Sequence, residues 1–179
     1  MMNNPMIKWG LYYGFASIAF TIISYFVNKE WIFGSGIAMG VGLLLAIGAV
    51  VLAMKEARTE QEGYLGFGEA MKVGLGVFIL GTLMSSIFQW VLFNFVDISL
   101  IEASKEYSIE TARVMSEKMG NMMNMSEEQM EEMVSQTEEQ MANMGNPMSL
   151  GMIVQSWLLV SLIGGLPLNL IVAAIMKKS

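Results

Sequence analysis

The chain has 179 residues, of which 54% are hydrophobic and only 15% are charged. A soluble domain carries about 25% charged residues, so this composition excludes an ordinary soluble domain and indicates a small integral membrane protein. The absence of cysteine and histidine excludes disulfides, thiolate metal sites and the commonest general base. The net charge of −6 argues against nucleic acid as a partner and leaves the lipid bilayer as the expected one.

Four stretches are long and apolar enough to cross a hydrocarbon core as helices, which takes about 20 residues each. The first is too long for the apolar part of a signal peptide and is predicted to be a retained anchor. We therefore expect an all-α fold, an integral membrane four-helix protein with an extramembrane amphipathic helical hairpin between helices 3 and 4. The expected arrangement is one membrane domain over residues 1–179, with spans near 9–28, 31–54, 73–96 and 147–176 and an extramembrane segment at 97–146.

The last stretch contains Pro167 shortly after Gly164 and Gly165. Proline lacks an amide hydrogen and clashes with the preceding turn, so a kink is predicted at this point. Because proline and glycine are common in membrane helices, the kink is equally compatible with a functional hinge and with plain packing.

The segment between the third and fourth spans is acidic and rich in methionine. Residues 97–147 contain eleven acidic and three basic residues, and ten of the chain's 19 methionines lie between Met115 and Met148. Two capping-box patterns, Ser99 with Glu102 and Ser126 with Gln129, predict the starts of two helices. We expect Gly120 and Gly145 to end them, because glycine adopts the left-handed conformation of a helix C-cap at little cost.

Methionines recur in this segment with a period of eleven residues. Met119, Met130 and Met141 are in phase, as are Met122, Met133 and Met144. Eleven residues in three turns is close to the pitch of a straight helix, so the methionines form a stripe on one face. The candidate interaction surface is the stripe after Ser126, which comprises Met130, Met133, Met141 and Met144.

Three interpretations of the methionines are open. The hairpin packs them on itself, on the bundle or on a second copy, or presents them to a protein partner, because thioether side chains adapt to irregular apolar surfaces. Alternatively, they form an interfacial helix or a groove for a lipid or an apolar peptide. The third is soft-metal binding of Cu(I), which thioethers favour. The cluster for such a site is Met119, Met122, Met123 and Met125.

Small residues recur at helical spacing within the spans. Such stripes let membrane helices approach closely, which is how they associate where lipid is as apolar as leucine. The candidate helix-packing residues are Gly10, Gly14, Gly36, Gly40, Gly81, Ser161 and Gly165. The alternative is a polar pathway between the helices, lined by Ser24, Ser85, Gln89, Asn94, Gln155 and Asn169.

No catalytic motif occurs in the sequence: it contains no Walker loop, no H-E-x-x-H and no G-x-S-x-G. We therefore expect no enzyme activity, no cofactor and no metal centre. The carboxylates of Glu127, Glu128, Glu131 and Glu132 have the spacing of a solvated helix face. The spans contain no deep ionisable residue, which argues against ion-coupled transport but leaves a channel or transporter component for a neutral solute as the alternative function.

Several segments resemble the bacterial membrane protein family catalogued as domain of unknown function 4199. They are residues 64–74 (YLGFGEAMKVG), 93–97 (FNFVD), 125–131 (MSEEQME) and 170–178 (LIVAAIMKK). The resemblance implies four helices in a bacterial inner membrane and supplies no activity. The leading function hypothesis is therefore a non-enzymatic membrane interaction or accessory module that uses the acidic methionine-striped hairpin, with a protein partner or self-association through it.

The distribution of basic residues predicts the topology. With four spans, six lysines and arginines lie on the side of the termini and four on the other side. The positive-inside rule then places both termini in the cytoplasm and residues 97–146 outside it. Alkaline phosphatase and a cytoplasm-only fluorescent reporter, each fused after Ser179, test this: we expect fluorescence without phosphatase activity, and phosphatase activity there would overturn the topology.

Overall fold

The computed structural model describes residues 4–123 and 125–176. Within them the chain forms helices and no strand, which confirms the predicted all-α class. The helices are α1 (Pro5–Val27), α2 (Gly36–Glu60), α3 (Phe67–Val96), α4 (Ser99–Met123), α5 (Glu127–Asn143) and α6 (Leu150–Met176). Four of them, α1, α2, α3 and α6, are long and apolar enough to cross a membrane, so the chain is a multi-pass membrane protein. Lys177 and Lys178, which enter the topology count, lie outside the described residues.

The contacts divide the described chain into two units. The first contains the residues up to Gln89 together with those from Ile153 onward, and the second is Trp90–Met152. The dividing points fall inside α3 and α6. The first unit therefore holds α1, α2 and most of α3 and α6, and the second holds α4 and α5.

The connection between α1 and α2 is longer than the two residues that separate the predicted spans 9–28 and 31–54. Lys29–Phe33 forms a short 3₁₀ helix, and α2 begins at Gly36. The reason is local: Gly34 adopts a left-handed φ of 92°, which ends the short helix, and the Ser35 hydroxyl accepts a hydrogen bond from the Ala38 amide at 3.4 Å. Ser35 is thus the N-cap that starts α2.

The core of the first unit is built from small and medium apolar side chains. Val50, Ala53 and Met54 on α2 are fully buried, and so are Val77 on α3 and Ala173 on α6. The outer faces of the same helices carry large exposed apolar side chains, which suit contact with lipid. Examples are Phe26, Leu44, Ile163 and Ile175, each more than 70% exposed.

Four of the predicted packing residues lie where another side chain approaches the backbone. A Cβ added at Gly10 would lie 2.9 Å from a Leu80 methyl, and one at Gly14 would lie 2.8 Å from the Met84 sulfur. A Cβ added at Gly81 would overlap the Tyr13 ring, and one added at Gly165 would lie 2.6 Å from the Phe78 ring. These contacts join α1 to α3 and α3 to α6.

The remaining packing candidates differ. An added Cβ at Gly36 or Gly40 would meet no atom of the described chain within 4 Å, so these positions on α2 face open space. The Ser161 hydroxyl is buried and has no hydrogen-bond partner within the described residues. A packing role for Gly36 and Gly40 remains a prediction that would need a neighbouring molecule.

Asn169 is a polar side chain in the core of the first unit, where it is fully buried. Its amide donates a hydrogen bond to the Gly165 carbonyl at 2.7 Å, while its carbonyl oxygen packs against Gly74 without a hydrogen-bond partner among the described residues. Gly74 is needed there, because a Cβ would collide with this oxygen and with the Met54 methyl. The contact fixes α6 against α3 at short distance.

A charged cluster joins the start of α1 to the end of α2. Lys8 Nζ lies 2.9 Å from both carboxylate oxygens of Glu56, and the Trp9 indole donates to the same carboxylate at 2.7 Å. The Lys8 and Glu56 side chains are each 30% exposed, so the pair is shielded more than a typical surface salt bridge.

Helix α6 contains a π-helical segment, Val160–Gly165, which ends two residues before Pro167. In this segment the Leu166 amide bonds to the Ser161 carbonyl, one residue further back than in an α-helix. Proline supplies no amide hydrogen to continue the regular ladder, and wider turns are a known accommodation.

We expect Gly165→Leu to lower the thermal melting temperature in detergent more than Gly48→Leu. Leucine at 165 must displace the Phe78 ring, and overpacking costs about 1–3 kcal/mol. Gly48 is the matched control, because it lies in the apolar helix α2 with no atom within 4 Å of an added Cβ. Equal melting temperatures for the two variants would contradict the close approach of α6 and α3.

Candidate functional site

The second unit is an antiparallel hairpin of α4 and α5. Three contacts tie it together along its length. The buried Ser116 hydroxyl donates to the Met130 carbonyl at 2.9 Å, Arg113 lies 3.6 Å from Glu138, and Lys105 Nζ donates to the Met144 carbonyl at 3.0 Å. The lysine therefore bonds a carbonyl at the C-terminal end of α5, where a positive charge is favourable.

The predicted start of α5 is confirmed. The Ser126 hydroxyl accepts from the Gln129 amide at 3.3 Å, and the Gln129 side chain accepts from the Ser126 amide at 3.0 Å. At the start of α4 the capping differs from the prediction, because the acceptor is Asp97, which bonds the Ser99 amide at 3.1 Å and also the Ser99 hydroxyl.

The expectation that Gly120 ends the first helix of the hairpin is wrong. The helix continues through Gly120 to Met123. Gly120 instead makes room for α5, because an added Cβ would collide with the Met130 sulfur. The glycine marks a close helix contact rather than a helix end.

The side chains of the α5 methionine stripe are partly buried. Met130 packs against Gly120, and Met130, Met141 and Met144 are half-buried. Met133 is 36% exposed, the most open of the four. Met130 is therefore part of the α4–α5 contact, and none of the four side chains of this candidate interaction surface is fully buried.

A different set of methionines is exposed on the C-terminal half of α4. Their spacing of four, three and one residues places them on one face of the helix. We call this set the α4 methionine surface: Met115 (57% exposed), Met119 (39%), Met122 (84%) and Met123 (66%). Met119, Met122 and Met123 belong to the possible copper cluster. The phase of Met119 and Met122 in the eleven-residue repeat also indicates that α4 carries part of the stripe.

The hairpin also contains a groove of about 500 Å³ between its two helices. Acidic side chains from both helices line it, among them Glu117, Glu127, Glu131 and Glu138, together with Arg113. Among the described residues, no group of three or more histidine, cysteine or acidic side chains is arranged to hold a metal ion. The residues that line the groove do not include those of the α4 methionine surface, so the hairpin has an acidic groove and a separate exposed apolar set.

The six residues of the proposed polar pathway are not brought together as one set. Ser24, Ser85 and Gln89 line a single cavity of the first unit. Asn94 instead binds the chain before α6, accepting from the Asn146 amide at 2.8 Å and donating to the Met148 carbonyl at 2.9 Å. Gln155 is exposed.

Comparison with known proteins identifies one family. The model of the family described as "Protein of unknown function (DUF4199)" matches residues 8–178, nearly the whole chain. Neither the proteins of curated function nor the solved structures yield a significant match.

Methionine oxidation by peroxide should separate the two methionine sets. We expect Met122 and Met123, which are well exposed, to oxidise several-fold faster than Met130, Met141 and Met144, which the hairpin shields. Peptide mass spectrometry of the folded protein ranks the sites, and the same reaction in denaturant is the control. Equal rates in the folded protein would show that the α5 stripe also faces solvent.

Proposed function

The chain belongs to the DUF4199 family, and because that family's function is unknown we propose one from the geometry: a non-enzymatic membrane interaction module. The α4 methionine surface is the observation that carries this proposal. It places four large apolar side chains in a segment whose other surface is strongly polar. Soluble surfaces generally avoid contiguous apolar patches unless they bind something. The residues proposed for contact are therefore those of α4 in the first instance, and Met133 is the most exposed methionine of the α5 stripe.

The charge of the segment indicates which partner the surface would take. Residues 97–147 carry a net charge of −8. Anionic lipid head groups would be repelled, whereas a basic amphipathic helix offers an apolar face for the methionines and lysines or arginines for the surrounding glutamates. Methionine suits this role because its flexible thioether adapts to different apolar faces. We therefore propose a basic amphipathic helix as the partner.

The setting of this surface is part of the proposal. The four apolar helices anchor the chain in a membrane. We place it in a bacterial inner membrane with both termini in the cytoplasm and the hairpin on the opposite side, in line with the excess of basic residues near the termini. A partner would then be met outside the cytoplasm.

Fluorescence anisotropy with the full chain in zwitterionic nanodiscs tests the proposal. The probe is a labelled amphipathic helix of leucine and lysine, and empty nanodiscs give the background. We expect saturable binding that weakens with added salt, and binding at least tenfold weaker for the double variant Met122→Ser, Met123→Ser, since burying even one methionine contributes about 1.5–3 kcal/mol. The double variant Gln136→Ser, Gln140→Ser, on exposed positions of α5, is the control.

Two outcomes would contradict this function. One is equal affinity for the methionine variant and the wild type. The other is equal binding of an acidic peptide in which glutamate replaces lysine, because charge complementarity then plays no part. Adding Cu(I) in a parallel titration separates the soft-metal hypothesis: coordination would protect Met119, Met122, Met123 and Met125 from oxidation and leave the α5 methionines unchanged.

A further inference from the structure

The first unit contains an unsatisfied amide in a membrane-spanning helix. Gln89 and Ser85 lie one turn apart on α3, and both are half-buried. The described residues make no hydrogen bond to the Gln89 amide, which offers two donors and an acceptor. In a hydrocarbon environment each unsatisfied polar group costs several kcal/mol. A polar molecule in the space beside this side chain would remove that cost.

The opposite wall of that space is a row of hydroxyl groups on α1. Thr21 is 7% exposed and Ser24 is fully buried. Each hydroxyl donates its hydrogen to a carbonyl of its own helix, Thr21 to Ser17 at 3.0 Å and Ser24 to Phe20 at 2.8 Å. The Thr21 oxygen keeps a lone pair on the small part of this residue that remains accessible, so this wall presents one acceptor to the cavity, while Ser24 has no exposed surface.

The cavity between the two walls holds about 240 Å³, far more than the roughly 10–15 Å³ that admit one water molecule. Trp31 of the short connecting helix lines it beside Phe20, and their rings are stacked with centroids 6.4 Å apart. None of the described residues that line the cavity carries a charge. The site thus combines one hydroxyl acceptor, one carboxamide and an aromatic surface.

We propose that this cavity binds a small neutral polyhydroxylated molecule or the polyhydroxylated head group of a lipid. One hydroxyl of the ligand donates to the oxygen of Thr21, others pair with the amide of Gln89, and its C–H face lies on the aromatic surface near Trp31. Anionic and cationic ligands are excluded, because a charge would enter a low-dielectric site with no counter-charge. This site is separate from the hairpin and does not depend on its proposed function.

Saturation-transfer NMR on the full chain in detergent, with erythritol as the probe, tests the free ligand. We expect transfer to erythritol that glycerol competes away and that glycerol 3-phosphate does not. Gln89→Leu should weaken binding about tenfold, the effect of losing more than one hydrogen bond to the ligand. Gln155→Leu is the matched control, since Gln155 is an exposed glutamine of the apolar helix α6.

Fold integrity is checked in the same samples by circular dichroism and thermal melting. Gln89→Leu removes an unpaired amide from a spanning helix, so it should not lower the melting temperature. A second arm repeats the measurement with a neutral glycolipid in micelles: binding of the glycolipid alone assigns the site to a lipid head group, and binding of erythritol assigns it to a free solute. Absence of binding in both arms, or undiminished binding to Gln89→Leu, would overturn the proposal and leave a cavity that holds water only.

Discussion

The close approach of helix backbones at a few glycines is the constraint on which the first unit depends. In a lipid environment an apolar side chain gains little by exchanging lipid for protein, so helices associate through close packing and hydrogen bonds rather than through the hydrophobic effect. The Tyr13 ring against Gly81, the Phe78 ring against Gly165 and the Asn169 side chain against Gly74 are the contacts of this kind. Each inserts a larger side chain from one helix where its neighbour has none. The alanine-rich core of α2 serves the same end.

The hairpin of α4 and α5 is held together differently from the first unit, because its helices are polar outside the contact between them. There, the half-buried Met130 packs against the partner helix, and glycine again permits the contact, since Gly120 leaves room for the Met130 sulfur. The apolar side chains that remain exposed differ in what they indicate about binding. Apolar side chains on the outer faces of the four spans need no explanation beyond lipid, whereas Met122 and Met123 lie in an acidic polar segment and do need one.

Features that depend on local sequence were predictable, and features that depend on a distant neighbour were not. Length and hydropathy identify the four apolar helices, and the Ser126 capping box involves residues three apart. Gly120 was misjudged because its role is set by Met130 on another helix. The Lys8–Glu56 pair joins residues 48 apart, and no periodicity connects them. Likewise, the eleven-residue repeat predicts a stripe but not which part of it the partner helix covers.

The pairing of Lys8 with Glu56 has a consequence for how the chain is made. The two residues are 48 positions apart, so when α1 first reaches the membrane during synthesis, Lys8 has no partner and carries a full positive charge. Until α2 follows, that charge has to be solvated by water or lipid head groups, because Glu56 is not yet within reach. Only when the end of α2 has emerged does the carboxylate neutralise it and join the two helix ends. The contact between the two helix ends therefore forms only after both helices have been made, and it leaves each side chain 30% exposed in the finished protein.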